Sequence, residues 1–271
     1  MSATGAALRL SMLVPGGGRR ATRLVERNFL SFRKAHGWLV IVSGFYESLL
    51  YLLGMGLGVG ALVGSVVDGG VRLRYAVFVA PALMASSAMQ GAVNESIFNV
   101  YYKLKYAKLY DAVLSTPLTM LDVALGEVSW ALLRGTSYAI GFIVVMSALG
   151  LVLSPWAVLA VPAALLVSLA FSGVGIAVTT WIRSWNDFAL VQLVVIPLFL
   201  FSATFYPLGR YPGGLRVFVE VTPLYHGVHM VRGLTTGQLG ANMALDALYL
   251  VVMGLAGVLI ASRRLTLLLL R

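Results

Sequence analysis

Residues Pro207 to Asn242 read PLGRYPGGLRVFVEVTPLYHGVHMVRGLTTGQLGAN, and the fold turns on them. Pro207, Gly209, Pro212, Gly213 and Gly214 open the stretch with breakers, so no continuous helix crosses a bilayer here. It is also too long for a plain turn. Val217 to Val221 and Val228 to Leu234 predict two short helices. Irregular backbone at membrane depth is tolerated only when it is buried in protein or lines a cavity. Counting apolar runs alone would make this stretch a poor seventh span; read as a re-entrant segment, residues 207–242, it leaves six.

The rest of the 271-residue chain supports that reading. Hydrophobic residues make up 59% and charged residues 11%, against roughly 25% charged in a soluble domain. Apolar stretches long enough to cross run over about Leu39–Val63, Tyr75–Val100, Glu127–Val152, Trp156–Trp181, Phe188–Tyr206 and Ala244–Ser262. Asp68–Arg74 and Ser154-Pro155 read as turns, as do Arg183, Asn186 and Asp187. Residues 19–34 interleave Arg19, Arg20, Arg23, Arg27, Arg33 and Lys34 with Leu24, Val25, Phe29, Leu30 and Phe32, the pattern of a helix lying on the membrane surface. The expectation is an all-α membrane protein: one domain over 1–271, with six transmembrane helices, an N-terminal interfacial helix and re-entrant helices between spans five and six.

Charge placement orients the spans. One side holds Arg9, Arg19, Arg20, Arg23, Arg27, Arg33, Lys34, Lys103, Lys105, Lys108, Arg183, Arg263, Arg264 and Arg271, the other Arg72, Arg74, Arg210, Arg216 and Arg232. Both termini are therefore expected in the cytoplasm, in a multi-pass protein of the cell (inner) membrane. Met1–Arg20 does not read as a signal peptide, because it lacks a sustained apolar core. The net charge of +10 is explained by topology, with membrane lipids and no nucleic acid as the partners of the basic face.

Catalytic chemistry has little to work with. There is no cysteine, no Walker A pattern, no nucleophile elbow and no His-Glu-x-x-His pair. His226 and His229 share a helical face, but His36 lies on the opposite side of the membrane, so no metal and no cofactor is expected on this chain. Glu47, Glu95, Glu127 and Arg134 fall at or near membrane depth, where an ionisable group needs a partner or a cavity. Glu127 and Arg134 share a face but lie about 10 Å apart along the axis, so each needs a partner elsewhere. Glu95 is expected at a water-reached interface. Phe45, Glu47, Tyr51, Phe201 and Phe205 are candidates for lining a path, with anchoring at the headgroup level as the plainer role of the aromatics. Residues 101–114, YYKLKYAKLYDAVL, place aromatic and aliphatic side chains on one side and lysines on the other, an amphipathic helix that either covers the membrane surface or docks a partner.

Several pieces, in order, resemble the permease subunits of type-2 ABC exporters, particularly the branch that exports nodulation factors and its relatives for drugs and polysaccharides. They are RNFLSF at Arg27–Phe32, APALMASSAMQ at Ala80–Gln90, and Asp111–Glu127 with its Thr116-Pro117-Leu118 centre and Leu125-Gly126-Glu127 end. Pro223, Leu224, Tyr225, His226 and Arg232 fit the family's C-terminal signature, as do Ser202 and Pro212, whereas Thr204 and Tyr211 depart from it. The resemblance implies six spans and a pair of permeases, from a second copy or a paralogue, docked on two ABC ATP-binding subunits that carry the ATP and Mg. It implies that residues 101–114 are the coupling helix, with Tyr102, Lys105, Tyr106, Lys108, Leu109, Tyr110 and Asp111 docking the ATPase, and that Pro223, His226 and Arg232 belong to an outer gate. ATP-driven alternating access would then export an amphiphile such as a lipo-oligosaccharide, glycolipid, polysaccharide or drug. An ion-coupled secondary transporter and a membrane-embedded transferase are the rivals; the first lacks a repeat between the halves, and the acids Glu95, Asp111 and Glu127 are too scattered for the second.

Overall fold

The computed structural model describes residues 21–34, 46, 49–114 and 118–269. Helix α1 covers Ala21–Lys34, and α2 covers Leu49–Val63 with π geometry over Leu52–Val59. Strands β1, Ser65–Asp68, and β2, Val71–Arg74, form an antiparallel hairpin. Helix α3 runs over Tyr75–Lys105 through a π turn at Asn94–Asn99, followed by α4, Leu109–Leu114, and α5, Met120–Ala148. Then come α6, Pro155–Thr179, and α7, Trp185–Leu200. Helices α8, Gly213–Val221, α9, Pro223–Thr236, and α10, Asn242–Leu269, complete the described chain. The protein is thus a mostly helical integral membrane protein. Among the described residues α3, α5, α6 and α10 are long and apolar enough to cross a bilayer, with α2 and α7 as shorter apolar helices.

Local chemistry explains where the structure departs from the sequence expectation. The turn expected at Asp68–Arg74 is the closing half of the hairpin, in the register Ser65↔Arg74, Val66↔Leu73, Val67↔Arg72 and Asp68↔Val71. Gly69 and Gly70 both take positive φ, 56° and 82°, as a two-residue turn matched to the strand twist demands. Residues 101–114 are not one helix: α3 continues to Lys105, and the chain breaks at Lys108, with φ 44°, before α4. The third span starts earlier than Glu127 because Thr119 caps it. The Thr119 hydroxyl accepts from the Asp122 N–H at 3.1 Å while Asp122 accepts from the Thr119 N–H at 2.9 Å. Residues 207–242 hold two short helices, longer than the sequence suggested and joined at Thr222.

Helix α3 is the most enclosed of the long helices, its first three turns buried almost all round. The closest helix crossing is between α6 and α10, where Gly173 meets Gly254 and Gly257: a Cβ on Gly173 would overlap the Gly254 carbonyl, and one on Gly257 would overlap the Gly173 backbone. Small residues permit this approach where side chains would hold helices apart. Helix α1 lays Ala21, Leu24 and Asn28 onto α5, with Leu24 seated on Gly126. The bundle has two distinct ends. At the α4 end, the Tyr101 hydroxyl donates to the Arg183 carbonyl at 3.3 Å and ties α3 to the α6–α7 turn. At the hairpin end, Arg74 donates to the Gly150 carbonyl at 3.1 Å, and the Leu153 N–H donates to Thr235 at 2.9 Å, joining β2, the α5–α6 turn and α9.

Candidate coupling site

Glu127 lies two turns into α5, where α1, α3 and α4 all reach it, and only 2% of it is exposed. Lys103 Nζ of α3 donates to Oε2 at 2.7 Å, the Tyr110 hydroxyl of α4 to Oε1 at 3.1 Å, and Asn28 Nδ2 of α1 to Oε2 at 3.3 Å. One carboxylate therefore fastens four helices. A buried charge persists only when it is paired and its remaining lone pairs are bonded, and both conditions hold here. Burial pushes the Tyr110 phenol well above its ordinary range, and the adjacent Glu127 charge pushes it further, so the hydroxyl remains a donor.

Farther along the same α3–α5 contact, Glu95 pairs with Arg134. Asn99 Nδ2 donates to the other Glu95 oxygen at 2.6 Å, and Arg134 Nη2 donates to the Tyr138 hydroxyl at 3.1 Å. Glu127 and Arg134 thus find the separate partners their spacing demanded. Glu95 does not sit at a water-reached interface: it is 2% exposed, because α5 delivers a guanidinium to it.

The surface of the α4 end is aromatic. Tyr102 and Tyr106 stack with centroids 5.9 Å apart, and Trp185 meets Tyr106 edge-on at 6.4 Å. Each is more than half exposed, and Lys105 and Lys108 stand exposed beside them. Leu109 is half-buried and Tyr110 is buried, so these two anchor the segment instead of facing outward. The Asp111 side chain lies outside the described residues. Trp185 is absent from the sequence expectation because a tryptophan after Arg183-Ser184 reads, in isolation, as an interfacial anchor. Its turn is built by Asp187, which accepts from the N–H groups of Arg183 at 2.8 Å and Ser184 at 3.1 Å; these bonds hold its carboxyl below the usual range.

At the hairpin end α9 carries Pro223 in its first turn, His226 and Arg232. Arg232 is buried, with Nε donating to the Phe78 carbonyl at 3.1 Å and Nη2 to the Ala203 carbonyl at 2.7 Å. Its guanidinium lies 3.8 Å over the Phe78 ring, and Nη1 is 3.8 Å from Asp68 of β1. His226 and His229 both present Nδ1 to Asp246 of α10, at 2.6 Å to separate oxygens. An ionised carboxylate only accepts, so both imidazoles carry a proton on Nδ1. The two rings thus converge on one carboxylate.

Of the path candidates, Tyr51 and Phe205 are joined through Phe199, with edge-on contacts of 5.6 and 5.2 Å. Phe201 instead packs with Ala203, Tyr211 and Val219. Phe45 and Glu47 lie outside the described residues.

The sequence pattern of the ABC-2 type transporter matches residues 21–235, a stretch that carries the Glu127 junction, both ion pairs, the aromatic face and Arg232. The chain belongs to the ABC-2 type transporter family. Nodulation protein J of Rhizobium leguminosarum bv. viciae is 30% identical over 259 residues, covering 93% of this chain and 97% of that protein. Its counterpart in R. leguminosarum bv. trifolii is 32% identical over 228 residues, 83% and 84% of the two chains. Nodulation protein J of Azorhizobium caulinodans is 30% identical over 236 residues, 84% and 90%. As an ABC-2 permease, the chain is a membrane subunit of an ABC exporter, and membership identifies it as a non-catalytic one. Asp246, the acceptor for both histidines, lies beyond the matched stretch.

Proposed function

We propose that this chain is the permease half of an ATP-driven exporter in which the α4 end docks an ATP-binding subunit and the hairpin end closes the outward side. The observation that carries the reading is the exposed face of Tyr102, Tyr106 and Trp185, flanked by Lys105 and Lys108 and anchored from beneath by the Tyr110–Glu127 bond. Exposed aromatics on a rigid base, with cationic neighbours, suit a protein surface better than solvent. In this reading six helices cross the inner membrane, both termini are cytoplasmic, and α1 lies along the cytoplasmic leaflet. Two permeases pair, as copies or paralogues, on two ATP-binding subunits that supply ATP and Mg, and the chain itself holds no cofactor.

The cargo is an amphiphile, carried by alternating access, and relatives named for nodulation make a lipo-oligosaccharide the first one to assay. The intramembrane acids Glu95 and Glu127 are engaged by Arg134 and Lys103, an arrangement that suits a transmission element more than an ion-binding site.

The test is purification of the tagged chain from its native membrane with its ATPase partner. Tyr106→Glu with Trp185→Glu is expected to abolish recovery of ATP-hydrolysing activity while the permease still inserts and elutes as a folded species. Undiminished ATPase recovery in that variant would overturn the docking assignment.

A further inference from the structure

The two ion pairs between α3 and α5 pose a problem of register. On α3 the charged residues are Glu95 and Lys103, eight apart; on α5 their partners are Arg134 and Glu127, seven apart. In continuous α-helices seven residues return to within about 20° of the same face after about 10.5 Å, whereas eight overshoot by about 80° and reach about 12 Å. Two unbroken α-helices would leave the two pairs out of register, with side-chain length alone to make up the difference.

The π turn at Asn94–Asn99 resolves the mismatch. A π turn accommodates one extra residue within an α-helix, so the eight residues from Glu95 to Lys103 span what seven would in α geometry. The turn is stabilised from outside α3. The Thr179 hydroxyl of α6 donates to the Ser96 carbonyl at 2.9 Å, satisfying a backbone group at the irregular turn. Gly175 makes room for Ser96, since a Cβ there would overlap the Ser96 hydroxyl, and Asn99 braces Glu95.

We propose that the π turn and the pairs Glu95–Arg134 and Lys103–Glu127 form a register lock, with the four charged residues acting as positioning residues that transmit movement of α4 into the membrane. Tyr110 hands displacement of α4 to Glu127. Pulling on Lys103 moves the lower part of α3 against Glu95, which Arg134 holds. The extra residue in the π turn is the slack that α3 can release or take up, so returning the turn to α geometry breaks one pair. The proposal rests on the docking assignment of α4, and its test separates the two.

The experiment uses the intact complex in proteoliposomes, reading partner association, ATP turnover and transport together. Arg134→Glu is expected to leave association intact and to lower transport per ATP about tenfold, within the span of an ordinary coupling free energy. Adding Glu95→Arg restores the pair in reverse and returns transport per ATP towards the unmodified value. Deletion of Ile97 removes the extra residue and brings Glu95 and Lys103 to a spacing of seven, equal to that of Glu127 and Arg134, so both pairs can form in plain α geometry. That variant is expected to fold and bind the ATPase, and to hydrolyse ATP with transport lost.

Unchanged coupling in Arg134→Glu, a folded double variant no better than the single one, or normal transport after the deletion each overturns the lock. Full ATPase recovery from the Tyr106→Glu with Trp185→Glu variant refutes the docking assignment instead.

Discussion

Both ends of the bundle bury charge, and they satisfy it by different means. At the α4 end two buried acids find cations on another helix: Glu127 with Lys103, Glu95 with Arg134. At the hairpin end Arg232 is bonded chiefly to the Phe78 and Ala203 carbonyls, and Asp246 to two imidazoles. Side-chain ion pairs can exchange partners as helices shift. Carbonyl contacts move only with the chain that carries them. On the proposed reading the α4 end passes displacement on, while the hairpin end holds four segments together around one buried cation.

Removing the fixed cation should produce the largest effect. Arg232→Ala strands two carbonyls and leaves a hole beside Phe78; loss of about 3–5 kcal/mol is expected by analogy with breaking a buried charged network, seen as a lowered unfolding midpoint in detergent. Arg232→Lys should recover only part of it, because an ammonium cannot reach both carbonyls with the fork of a guanidinium.

Glu127→Gln tests the exchangeable end. The amide oxygen can still accept from Tyr110 or Asn28 but leaves Lys103 beside a neutral group, and destabilisation of about 1–3 kcal/mol is expected in the same assay. His226→Ala and His229→Ala each remove one of the two donors to Asp246, at about 1 kcal/mol apiece, with the double variant worse than the sum because the carboxylate is then bare. Tyr110→Phe is the mildest, at about 1 kcal/mol or less, and it should lower transport per ATP more than it lowers the unfolding midpoint. Equal sensitivity of both ends in transport per ATP would erase the distinction between them.

The helical membrane architecture was legible because apolar runs and charge asymmetry are written residue by residue. The need for separate partners at Glu127 and Arg134 followed from a seven-residue spacing, and Lys103 was visible, but nothing local says which lysine faces which acid. Glu95 was misplaced for that reason: its burial depends on α5, about forty residues away. The hairpin was signalled by Asp68-Gly69-Gly70-Val71 between valines, a pattern outweighed by its short length. The break at Lys108 has no sequence marker, since a lysine with positive φ is held by its surroundings and not by preference. Trp185 belongs to the aromatic face only because α3 ends beside the α6–α7 turn, which is a fact of packing.

The glycine crossing of α6 and α10 bears on how any of this moves. Where Gly173 meets the Gly254 carbonyl and Gly257, backbone lies on backbone with no side chain between, and Leu169 packs on Gly254 beside that point. They can rotate about that point like blades on a shared pin, but neither can travel along the other without collision. Helix α6 also carries Thr179, which steadies the π turn of α3. On the proposed reading, that crossing is the stationary frame against which a one-residue stroke of α3 becomes a directed motion.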